Sequence, residues 1–157
     1  MNNSRDFSIS NLELISLFKK YKMPLTQICS KDKLQGLPKP GNYIINLADE
    51  RENGTHWVCF IIRNNQCMYY DSFGITYPND VKKFIKQNPN IQLYYNTDQV
   101  QHLDSSTCGF YCLAFINYCH NHPKQDLYYL LNIFNHQFSE DTEYNDKLLQ
   151  KIIINMK

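Results

Sequence analysis

The stretch His56-Trp57-Val58-Cys59-Phe60-Ile61-Ile62-Arg63-Asn64-Asn65-Gln66-Cys67-Met68-Tyr69-Tyr70-Asp71 holds two apolar runs separated by a pair of asparagines. The first run, His56 to Arg63, is nearly all apolar, as a strand covered on both faces would be. Asn64-Asn65 fits a two-residue hairpin turn, and Gln66 to Asp71 is the returning strand. With that turn, Arg63 pairs with Gln66 and Val58 falls opposite Asp71. Side chains alternate along a strand, so His56, Val58 and Asp71 share a face. His56 is then the diagonal neighbour of Asp71, roughly 7–8 Å away between backbones and within side-chain reach. One residue more or fewer in the turn would send Asp71 to the other face.

A histidine beside an aspartate invites a search for a nucleophile. Cys108 lies in Ser105-Ser106-Thr107-Cys108-Gly109-Phe110, where a polar run meets a helical pattern that continues to about Asn121. A helix N-terminus offers positive potential and free N–H groups, which stabilise a thiolate and an adjacent oxyanion. A thiolate needs a base to hold it, and the base needs an acceptor to fix its ring. Gly109 would let a substrate backbone approach closely. Gln101, seven residues before Cys108, is the candidate side-chain donor to an oxyanion, since an amide donates without competing for the proton. Taken singly, the histidine reads as a packed residue, the aspartate as a turn acid and the cysteine as a small buried side chain. The hairpin and the helix start make the set more than its members.

Around this centre the chain reads as strands flanked by helices. Ser10 to Lys22 carries a helical stripe of Leu12, Ile15, Leu17 and Phe18, capped by Ser10 or Asn11 and ended by Pro24. Leu34 to Gly41 is an irregular connector and Gly41 to Leu47 a strand. A helix from Pro78 and Asn79 to Lys86 precedes a strand over Ile91 to Tyr95. Two amphipathic stretches, Gln125 to Phe138 and Glu140 to Met156, finish the chain. The expected class is α+β, as one domain over residues 1–157.

The totals narrow the field. With 43% hydrophobic and 20% charged residues over 157 positions, the composition is that of a globular domain. A net charge of +1 makes no global case for a nucleic-acid or membrane partner. Met1 to Asp6 lacks the apolar stretch of a secretory signal, so the six cysteines are expected as free thiols in a protein that is not secreted. Cys108, Cys112 and Cys119 fall at helical spacing near His120 and His122, but without a second cysteine pair they read as a core face, and no metal site is expected. His102 is a nearer base in sequence, with only Asp98 or Asp104 to orient it, and ranks below His56. Lysines at 19, 20, 22, 31, 33, 82, 83 and 86 read as solvated helix faces, and paired tyrosines such as Tyr69-Tyr70 and Tyr128-Tyr129 as packing.

Gly-x-His-Trp at Gly54 to Trp57, Tyr-Asp-Ser-Phe-Gly at Tyr70 to Gly74, Gln101, and Ser-x-x-Cys-Gly-Phe-x-Cys at Ser105 to Cys112 together resemble the adenovirus-type maturation cysteine proteases. Their wider relatives are the SUMO and ubiquitin-like proteases. The resemblance implies a papain-like fold with a central, mostly antiparallel sheet flanked by helices. It implies Cys108 as nucleophile, His56 as base, Asp71 as the acid that orients it, and Gln101 with the Cys108 N–H as oxyanion donors. Trp57 would pack near the histidine. Asp71 follows the SUMO-protease pattern, whereas adenoviral enzymes usually carry Glu; the Gln-to-Cys spacing is adenoviral. Ile91 to Val100 holds no cysteine to anchor a disulfide-linked activator peptide. The implied function is endoproteolysis of viral capsid or core precursors at Gly-containing sites, in the virion and the host-cell interior, by a monomer. The source implied is a virophage or adenovirus-like element. No cofactor is required by the residues, while a viral peptide or DNA is carried over as a candidate activator. Removal of ubiquitin-like modifiers and non-catalytic binding on the same scaffold are the alternatives.

Overall fold

The computed structural model describes residues 8–49 and 56–157. Met1 to Asp6, Gly54 and Thr55 lie outside the described residues. Five strands form one sheet in chain order: β1 (Gln27–Ser30), β2 (Gly41–Asn46), β3 (Trp57–Arg63), β4 (Gln66–Tyr70) and β5 (Gln92–Tyr95). The helices are α1 (Asn11–Lys20), α2 (Asn79–Lys86), α3 (Cys108–His120), α4 (Leu127–His136) and α5 (Thr142–Ile154). This is the expected α+β architecture.

The hairpin forms in the register its turn dictates. Arg63 pairs with Gln66 and Cys59 with Tyr70, which leaves Val58 and Asp71 as the next positions outward. Asn64 and Asn65 both adopt left-handed backbones, with φ of 52° and 59°. That is the type I′ geometry whose twist matches a two-residue hairpin, and asparagine tolerates it. The sheet is antiparallel at its centre, where β3 pairs with β2 and β4, and parallel at both edges, β1 with β2 and β4 with β5. The mostly antiparallel expectation therefore holds for the middle strands alone. Helix α2 is the crossover between parallel strands β4 and β5.

Both faces of β3 are covered, which explains its unbroken apolar run. Cys59 and Ile61 join Met68 and Tyr70 in a core with α3, α4 and α5, while Val58, Phe60 and Ile62 join Tyr43, Cys67 and Tyr69 against α2. Helix α3 is enclosed almost all round, from Tyr111 through Cys119. Tyr70 stacks on Phe115 of α3 with ring centroids 4.6 Å apart. The tyrosine pairs divide: Tyr69 and Tyr70 are buried, whereas Tyr128 and Tyr129 are half exposed on α4. Ser10 caps α1 in a reciprocal box with Glu13, and Leu14 and Phe18 turn the helix inward.

The turn after β4 is closed by Gly74, whose N–H donates to the Asp71 carbonyl at 2.8 Å. Its φ is +71°, and an added Cβ would lie 2.6 Å from the Thr97 carbonyl oxygen. Both conditions exclude other residues without backbone movement. Gly74→Ala is expected to destabilise the fold by about 2–4 kcal/mol, combining a left-handed alanine with overpacking. A urea-denaturation midpoint unchanged from wild type would show that the loop over residues 97–98 yields freely.

Candidate active site

His56 stands at the edge of β3, its carbonyl accepting the Leu47 N–H at 2.9 Å. Asp71 immediately follows β4. Their side chains meet with Nε2 of His56 2.7 Å from Oδ1 of Asp71, and the carboxylate is fully buried. A carboxylate only accepts, so Nε2 carries the hydrogen of this bond.

Three neighbours hold the pair. The Phe73 N–H donates to the same Asp71 oxygen at 2.8 Å. The Phe73 ring stacks on the imidazole, with centroids 4.5 Å apart and planes 17° from parallel. Asn96, just past β5, clamps the Asp71 backbone: its Oδ1 accepts the Asp71 N–H at 2.8 Å and its Nδ2 donates to the Asp71 carbonyl at 2.6 Å. Phe73 lies inside a quoted motif and gave some signal. Asn96 gave none, because its partner is 25 residues away in sequence.

Cys108 begins α3 and is 6% exposed. First-turn N–H groups of a helix have no intrahelical acceptor and point toward this end. The sulfur accepts the Trp57 backbone N–H at 3.3 Å and neighbours the His56 imidazole, whose charge it favours. Since Nε2 is engaged by Asp71, Nδ1 is the nitrogen left for Cys108. Burial favours a neutral imidazole, but the hydrogen bonds and charges of Asp71 and Cys108 outweigh it and raise the His56 pKa to about 9. A cation is thereby kept beside the sulfur. The remaining thiols are in different surroundings: burial raises Cys119 to about 12 and Cys29 to about 11, and holds Cys67 and Cys112 up as well. All six cysteines are free.

Trp57 anchors the neighbourhood in an unforeseen way. Its indole N–H donates to the Ile9 carbonyl at 2.9 Å. A Cβ on Gly109 would lie 2.3 Å from the Ile9 side chain and 3.3 Å from the Trp57 ring. The space above Gly109 is thus filled by the chain itself. Its glycine is required by this packing, which replaces the expectation of open access for a substrate backbone.

Gln101 is fully buried beside this group. Its Oε1 accepts the Ser72 hydroxyl at 2.5 Å, and its Nε2 donates to the Ser105 carbonyl at 2.9 Å. An amide NH₂ has a second hydrogen, available as a donor in the stretch leading to Cys108. That stretch is braced from α5: Ser105 and Thr107 hydroxyls lie 3.0 Å apart, and Tyr111 donates to Asp146 at 2.7 Å. His102, the competing base, has its Nδ1 occupied by the Asp104 N–H at 3.1 Å. The structure therefore unites His56, Asp71 and Cys108, with Gln101 held beside the approach to Cys108. Such a set can hold a thiolate–imidazolium pair and offer hydrogen bonds to an oxyanion. Among the described residues no group of three or more His, Cys, Asp or Glu is placed to hold a metal.

Comparison with known proteins adds a family to this geometry. The chain resembles the solved ASFV pS273R protease at 15% identity and a TM-score of 0.42, over 57% of this chain and 37% of that one. It resembles ChlaDub1 from Chlamydia trachomatis at 16% identity and a TM-score of 0.49, over 93% of this chain and 76% of that one. No curated protein matches. The family model described as adenovirus endoprotease matches residues 34–151, about three quarters of the chain, and spans all of His56, Asp71, Gln101 and Cys108. This chain belongs to the adenovirus endoprotease family, and with it to the proteases.

Proposed function

We propose that this protease is a cysteine endopeptidase that cleaves viral structural precursors at Gly-containing sites, with Cys108 as nucleophile. The observation that carries it is His56, bonded through Nε2 to a buried aspartate and with its other ring nitrogen left for a thiol at a helix start. The Cys108 thiolate attacks the scissile carbonyl carbon, and the C=O electron pair moves to oxygen. The Gln101 amide and the Cys108 N–H stabilise that oxyanion. The imidazolium of His56 gives its proton to the departing amine as the C–N bond breaks, leaving a thioester. His56, now neutral, takes a proton from water as it attacks the thioester, and the C–S bond then breaks to release the acid and return the Cys108 thiolate. The proposed substrate class is supported by likeness to the adenovirus endoprotease family and not by the site geometry.

Two substrate sets separate the readings. Peptides with glycine at and before the scissile bond are compared with ubiquitin-like proteins fused through a Gly-Gly tail, the products being identified by mass spectrometry. Cleavage of the peptides, abolished by iodoacetamide, is expected. Cleavage confined to the fusions would replace maturation with removal of ubiquitin-like modifiers. Silence on both, with viral peptide and DNA added as candidate activators, would support binding without catalysis.

A further inference from the structure

We propose that Ser72 is a positioning residue for the oxyanion donor: its hydroxyl fixes the Gln101 amide beside the approach to Cys108. This rests on Gln101 acting as that donor.

Ser72 is 2% exposed and Gln101 is fully buried, so neither can turn to solvent for a partner. The two are joined twice. The Ser72 hydroxyl donates to Gln101 Oε1 at 2.5 Å, and the Ser72 carbonyl accepts the Val100 and Gln101 N–H groups at 2.9 and 3.1 Å. The Ser105 carbonyl holds the other end of the amide, taking one Nε2 hydrogen at 2.9 Å. A carbonyl accepts only, so Ser105 decides which end of the amide lies next to it. Ser72 satisfies the end that remains. Without its hydroxyl, Oε1 is a buried acceptor with no donor, and the amide gains by rotating to find one. Rotation carries the second Nε2 hydrogen away from its line.

The arrangement links two functions through one turn. Asp71 orients the base, Ser72 orients the oxyanion donor, and they are consecutive. Asn96 and Gly74 hold that turn against the segment that carries Gln101. One short stretch after β4 thus sets both partners of the thiol.

The test uses Ser72→Thr and Ser72→Val, which share a shape and differ in the hydroxyl, together with Gln101→Ala and Gln101→Ala combined with Ser72→Val. Ser72→Val is expected to lower kcat about tenfold relative to Ser72→Thr, with KM unchanged, as loss of an oriented oxyanion donor does. The rate of Cys108 alkylation by iodoacetamide should be equal in the two, because alkylation forms no oxyanion. In the Gln101→Ala background the Ser72→Val change should cost less than twofold. Equal kcat for the Thr and Val variants, or an undiminished cost in the Gln101→Ala background, would overturn the positioning role while leaving the protease assignment intact. Wild-type kcat in Gln101→Ala would instead remove Gln101 from the oxyanion site, and Ser72 with it.

Discussion

Cys108→Ala is expected to reduce peptide cleavage by about 10⁴-fold or more, because no other group among the described residues is placed to form the thioester. The competing thiols are poor candidates on physical grounds. Cys112 and Cys119 sit inside the core of α3, where burial keeps them protonated. Only Cys108 combines a helix start, the Trp57 N–H and a histidine whose pKa is raised. His56→Ala should fall nearly as far, and the double variant no further, as expected of a nucleophile and base that act as a unit. Single-turnover cleavage of a glycine-containing peptide measures all three. A residual rate in Cys108→Ala within tenfold of wild type would place the nucleophile elsewhere.

Where the sequence was legible, local rules were decisive. Two asparagines fixed a turn type, the turn fixed a register, and the register placed His56 and Asp71 together before any long-range contact was known. The helix at Cys108 was readable from its apolar spacing. The β1 edge of the sheet was not, although β5 at the opposite edge was. Gln27-Ile28-Cys29-Ser30 alternates weakly and is only half covered, so β1 gave no strand signal, and parallel pairing leaves no turn between partners to read. The same holds for Asn96 and Ser72, whose bonds to Asp71 and Gln101 span 25 and 29 residues. Gly109 is the opposite case: the glycine is plain in the sequence, but its cause, Ile9 packed over it, lies about a hundred residues upstream. Short-range chemistry placed His56 beside Asp71; long-range packing supplied what holds them.

Asp71→Asn is expected to lower kcat/KM at neutral pH by about 10²–10⁴-fold and to move the alkaline limb of its pH profile to lower pH by about 1–2 units. Burial of His56 opposes its charge, and the Asp71 carboxylate and Cys108 together overcome that opposition to give a pKa of about 9. In wild type the imidazolium, and with it the thiolate pair, should therefore persist up to about pH 9 and then be lost. Asparagine retains an oxygen to accept the Nε2 hydrogen but has no charge, so burial regains the upper hand and the histidine discharges earlier. Stability follows with the same sign. A histidine whose folded pKa lies above its ordinary 6.5 contributes fully below that value and loses its contribution as pH rises through about 9. The stability gap between wild type and Asp71→Asn should accordingly narrow across that interval. An alkaline limb that stays at its wild-type position would mean that Cys108 alone maintains the charge on His56, and that Asp71 serves to orient the ring without setting its protonation.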